Sequence, residues 1–207
     1  MHTAFIVAAV VAALVNWSTR VRPNQTLENI SKPLTTLMVI GIALTSGATA
    51  GQVAVAAVAL TLCLIGDIAL LSSIDKFVIG LASFLLGHLA FIVLFVMYGL
   101  HSTTLAGIAI ILASLLVITV GRVIVAGATQ ADPALRTPVL AYLAIISAMG
   151  TVGWATGRWW VVAGSALFVG SDAVLGWGRF VRDKRWMSLV VMVTYHAAIA
   201  SLALSLR

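Results

Sequence analysis

Charge is what this chain has least of. Of its 207 residues, 12 are Lys or Arg and 6 are Asp or Glu, 9% together, against 62% that are hydrophobic. A water-soluble domain carries about 25% charged residues, and a soluble core of this size cannot hide so much apolar surface. The shortage excludes a soluble fold and makes lipid the solvent for most of the chain. The net charge of +6 does not imply nucleic-acid binding, because no basic stripe interleaved with aromatics exists. The single cysteine, Cys63, excludes an internal disulfide, and its apolar neighbours read as packing. No histidine pair stands at H-x-x-x-H spacing, and no serine sits in a G-x-S-x-G frame of the hydrolase elbow type.

Apolar runs are abundant. A spanning helix needs about 20 apolar residues, and eight runs qualify, near 2–17, 33–50, 52–72, 77–98, 103–120, 137–155, 159–177 and 186–206. They predict an all-α, polytopic membrane bundle forming one domain over 1–207. The first run is short. It carries neither a basic n-region nor an A-x-A cleavage site, so it reads as a retained span. Pro33 and Pro138 are expected in the first turn of their helices, where a missing N–H costs nothing.

The basic residues set an orientation. Ten of the 12 fall in odd-numbered loops: Arg20, Arg22 and Lys32; Lys76; Arg122 and Arg136; Arg179, Arg182, Lys184 and Arg185. The positive-inside rule then places the odd loops in the cytoplasm and both termini outside. Spans three and seven run inward, and each is expected to end five residues after an acid, Asp67 and Asp172. At about 1.5 Å per residue, both carboxylates would lie about 8 Å inside the cytoplasmic ends of their helices. Asp67 and Asp172 are 105 residues apart, as are Pro33 and Pro138, which allows a parallel 4+4 repeat.

An ionisable residue inside a membrane span costs several kcal/mol by most scales and marks a functional site by default. The bland alternative is that each acid caps a broken helix or bonds a neighbouring polar group. Two carboxylates sharing a dry pocket favour one protonated acid beside one anion. That pair suits general-acid chemistry through a cationic intermediate, and it equally suits a proton-coupled transporter. His88 and His196 are mid-span, where a helix–helix hydrogen bond and a metal-ligand role are both open. Tyr142 and Tyr195 could each orient a carboxylate or only satisfy their own hydroxyls. Ser171 adjoins Asp172. Lys32 and Arg179 flank spans at the basic face, either as topology anchors or as a clamp on a lipid phosphate. The tryptophans, Trp159 and Trp160 among them, fit interfacial belts.

At these residues the chain resembles the YhhN-like lysoplasmalogenases. The matching segments are SKPLTT at Lys32–Pro33, LIGDIALL at Asp67, and FLLGHLAFI at Gly87–His88. They continue with PVLAYL at Tyr142, GSALFVGSDAVLGWGRF over Gly164–Phe180, and TYHAA at Tyr195. One departure is Ile199, where that family often carries a Gln. The resemblance implies an eight-span membrane hydrolase, and the short loops point to a bacterial plasma membrane. Its substrate would be a lysophospholipid bearing a vinyl ether; the residues themselves add Asp67 and Asp172 as the catalytic pair and, by their depth, a site open to the cytoplasmic leaflet. No metal or other cofactor is required by that chemistry. A proton-coupled small-molecule or lipid transporter is the main alternative. A metal-dependent amidase or hydrolase built on His88 and His196 is another.

Overall fold

Each apolar run folds as a helix because lipid offers the backbone no hydrogen-bond partners. The computed structural model describes residues 1–207 and contains only helices and short connections. Its helices are α1 (His2–Val21), α2 (Gln25–Leu44), α3 (Ala50–Ala69), α4 (Phe77–Tyr98), α5 (Thr103–Leu116), α6 (Arg122–Ala131), α7 (Arg136–Ala155), α8 (Trp159–Phe180) and α9 (Met187–Leu204). A π-turn over Val117–Gly121 joins α5 to α6. The two therefore form one rod, Thr103–Ala131. Seven of the resulting eight rods are long and apolar enough to cross a membrane, and the chain is an integral membrane protein.

The eighth rod, α2, completes the expected eight helices and is the most polar of them. It begins eight residues earlier than hydropathy implies, capped by Asn24, whose side chain accepts from the Leu27 N–H. Its first two turns carry Glu28, Asn29 and Lys32, and these polar residues lower its mean hydropathy. Lys32 is therefore not a flanking residue. It lies within the helix and is buried. Pro33 likewise sits inside α2 rather than in its first turn, whereas Pro138 is in the first turn of α7. The proline pair does not mark equivalent helix positions. Arg122, expected in a loop, belongs to the continuous Thr103–Ala131 rod.

The odd connections meet at one end of the bundle. Arg20 pairs with Glu28 at 3.0 Å, Ser72 donates to Glu28, Ser73 donates to Asn29, and Arg179 pairs with Asp75 at 3.2 Å. At the opposite end His2 bonds Thr45, and Arg158 donates to the carbonyls of Ser205 and Arg207. Phe91, Phe95, Phe168, Leu60 and Met149 fill the interior. Large apolar side chains such as Val7, Ile79, Val96, Ile111 and Ile118 point outward, as a lipid-facing surface requires. Cys63 is wholly buried in the core.

Candidate active site

Two carboxylates from different helices line one cavity. Asp67 comes from α3 and Asp172 from α8, and the cavity between them holds about 410 Å³. Its other walls include Arg20, Glu28, Lys32, Arg179 and Tyr195, which places its mouth at the end where the odd connections meet. The two acids do not lie equally far from their helix ends. Asp67 is two residues before Ala69 and Asp172 eight before Phe180. The α3 helix stops early at the turn through Asp75, which takes a positive φ of 44°, while α8 runs on past Trp177. Equal offset from the helix ends was the wrong criterion, yet the acids still share one cavity.

Asp67 is 1% exposed and is held as an acceptor. Its Oδ2 receives the Thr36 hydroxyl at 2.5 Å and the Tyr195 hydroxyl at 2.7 Å. The Lys32 ammonium stands 3.7 Å from its Oδ1, an ion-pair distance rather than a hydrogen bond. That set of one cation and two donors is the surrounding of an ionised carboxylate. Gly66, one residue earlier, lets a neighbouring ring approach. A Cβ there would fall 2.6 Å from the Phe84 ring, and Phe84 packs edge-on against Tyr195.

Asp172 is held differently. Tyr142 donates to its Oδ2, and His88 Nε2 lies 3.8 Å from the same oxygen. No other hydroxyl or amide donates to it, and its side chain is 10% exposed to the cavity. His88 is wholly buried, with neither ring nitrogen hydrogen-bonded. Its ring packs edge-on against Phe168 and Tyr142. One acid thus sits among a cation and two hydroxyls, and the other among a hydroxyl, an imidazole and open space.

The remaining expected residues divide. Tyr142 and Tyr195 each reach a carboxylate, so the orienting role left open for them is the one their geometry supports. Arg179 lines the cavity while pairing with Asp75 and stacking over Phe77. Ser171 lines it too, but its hydroxyl donates to the Val191 carbonyl and ties α8 to α9. His196 reaches neither acid. Its Nδ1 accepts from Trp17 Nε1 at 3.0 Å, so this mid-span histidine makes a helix–helix bond. No group of three or more His, Cys, Asp or Glu is arranged to hold a metal ion. Thr36, Arg20 and Glu28 also belong to the site or its mouth, a role the sequence does not reveal for any of them. Ordinary helix polar residues carry no signal of the face they will occupy.

A second, apolar cavity adjoins the first. It runs between the π-turn and helices α4, α7 and α8, and 16 of its 20 lining residues are hydrophobic. Asp172, Phe84, Leu70 and Leu175 line both cavities. The carboxylate of Asp172 therefore stands where a polar chamber meets an apolar one.

Residues 27–206 match the family model described as the YhhN family. The chain is 33% identical over 155 residues to a rat (Rattus norvegicus) protein described as lysoplasmalogenase TMEM86B, covering 71% of this chain. It spans 59% of that protein's length. No solved structure matches.

Proposed function

The chain belongs to the YhhN family, and we propose that it hydrolyses the vinyl ether bond of lysoplasmalogen or a related single-chain lipid. The observation that carries this reading is the pairing of two unlike carboxylates across one intramembrane cavity. The relative described as a lysoplasmalogenase supports the substrate class.

A vinyl ether, R–CH=CH–O–R′, reacts by taking a proton on the carbon next to R. The product is an oxocarbenium ion, R–CH2–CH=O⁺–R′. Water adds to that ion, loses a proton and gives a hemiacetal, which collapses to R–CH2–CHO and R′–OH. Two demands follow: an acid that reaches carbon, and a fixed negative charge beside the cation. Asp172 meets the first. Only Tyr142 donates to it, its carboxyl borders open space, and it faces the apolar chamber where the chain carbon would lie. Asp67 meets the second, since Lys32, Thr36 and Tyr195 hold it as an anion. The Asp67 carboxylate would then accept the proton released when water attacks.

The polar chamber opens among Arg20, Lys32 and Arg179, which suits a phosphate-bearing headgroup. The basic end of the bundle faces the cytoplasm by the positive-inside rule, so the lipid would enter from the cytoplasmic leaflet. The test is incubation of the purified protein with lysoplasmalogen in D2O. The expected products are a glycerophospho-base and a fatty aldehyde carrying one deuterium beside its carbonyl. Release of a free fatty acid, or of no chain product from folded protein, would overturn the proposal.

A further inference from the structure

The apolar chamber begins at the Asp172 carboxylate and runs on from it, past Tyr142, to the π-turn. We propose that this groove seats the hydrocarbon chain of the lipid whose reacting group lies at Asp172, with the π-turn Val117–Gly121 as its adjustable wall. The inference rests on the proposed hydrolase reading and adds the residues that select the chain.

The substrate's connectivity fixes where its chain must lie. In a vinyl ether the two reacting carbons are the first two of the chain. Oxygen leads one way to the glycerophosphate, and carbon leads the other way into hydrocarbon. A proton donor must therefore stand where a polar space and an apolar space meet. Asp172 stands there, with Tyr142 beside it lining the apolar side. The groove is narrow, with about 70 Å³ of free room, enough for only the first few methylenes, so a longer chain enters only as the π-turn wall yields.

The outer wall is one helix thick. Leu116, Val117, Val120 and Gly121 line the groove, while Leu115 and Ile118 on the same rod point outward to lipid. The rod Thr103–Ala131 is the least buried of the seven apolar spans, and π-turns recur at functional segments of helices. A hydrocarbon chain gains little by moving from bilayer to an apolar groove, because lipid tails are already apolar. The groove acts instead by position, holding the reacting carbon against the acid. Its effect belongs in kcat/KM for long chains and is absent for substrates too short to reach the π-turn.

The first test does not depend on turnover. A saturated-ether lysophospholipid carrying a diazirine in its chain is photolysed with the unaltered protein in detergent, and labelled peptides are mapped by mass spectrometry. Labelling concentrated on residues 116–124 and 139–146, competed by excess unlabelled ether lipid, is expected. Labelling spread over lipid-facing residues, or concentrated at Val7, Val11 and Leu34 in the outer groove of α1 and α2, would overturn the proposal. The second test is Val120→Phe, which narrows the groove away from the acids. It is expected to lower kcat/KM about tenfold for a long-chain lysoplasmalogen while leaving a four-carbon vinyl ether within about twofold. An equal fall for both substrates, or none for the long one, would contradict the chain slot. If the unaltered protein labels in the groove but releases no aldehyde, the chain site stands and the hydrolase reading falls.

Discussion

The ammonium of Lys32 lies 3.7 Å from the carboxylate of Asp67, and both side chains are 5% exposed or less. A lysine placed by hydropathy outside the membrane is thus the counter-ion of an intramembrane acid. Removing one member of a buried pair strands the other charge, at about 3–5 kcal/mol, whereas replacing both can be close to neutral. Lys32→Met should therefore lower thermal stability in detergent markedly, and the double variant Lys32→Met/Asp67→Asn should recover most of the loss. Equal stability of the single variant and the parent would mean the pair carries no charge.

The two tyrosines predict a ranking. Tyr142 is the hydroxyl donor to Asp172, whereas Asp67 keeps Thr36 and Lys32 when Tyr195 is lost. A hydrogen bond to a charged group contributes about 1.5–3 kcal/mol, and Asp172 acquires its charge as it gives up its proton. Tyr142→Phe should therefore lower kcat about tenfold or more, and Tyr195→Phe should lower it less. Steady-state kinetics on both variants checks the order, and a reversed order would move the proton donor to Asp67.

Trp17 supplies the hydrogen bond to His196 across 179 residues of sequence. His196 lines neither chamber, and its bond to Trp17 joins α9 to α1. Trp17→Phe leaves a buried imidazole without its donor, at about 1–3 kcal/mol. A lower melting temperature with kcat within a few-fold of the parent is expected. Unchanged stability with lost turnover would place His196 in the chemistry.

Gly127 packs where no side chain fits. A Cβ there would fall 2.2 Å from the carbonyl oxygen of Phe180, and backbone cannot yield as a side chain can. Gly127→Ala should push α6 from the end of α8 and destabilise by about 1–3 kcal/mol, read as a fall in melting temperature. Because Phe180 lines the apolar groove, long-chain turnover should fall with it.

The acids were legible in sequence for a plain reason: a carboxylate inside an apolar run has no other way to be tolerated than in a protein interior. Tyr142 and Tyr195 were visible as candidates on the same ground. Lys32 was misplaced because the polar first turns of α2 look like a loop to any hydropathy average, although Asn24 is a sound N-cap. The π-turn had no signal at all. The run from Leu105 to Val120 is so uniformly apolar that it gives no helical phase to break. Thr36 and Arg20 were silent because which residue a helical side chain meets is set by packing between helices, not by spacing along one. The unequal distances of Asp67 and Asp172 from their helix ends arose from the turn at Asp75, which no apolar count could register.

In the proposed reaction Asp67 and Asp172 act as one pair. Aldehyde release from lysoplasmalogen by the parent protein, Asp67→Asn and Asp172→Asn, each verified as folded by its melting transition in detergent, tests the pairing most directly. Aldehyde from the parent is expected, with a loss of about a hundredfold or more in each variant, the scale of a missing acid–base group. Undiminished aldehyde release from either folded variant would contradict the pairing and move the chemistry away from that carboxylate.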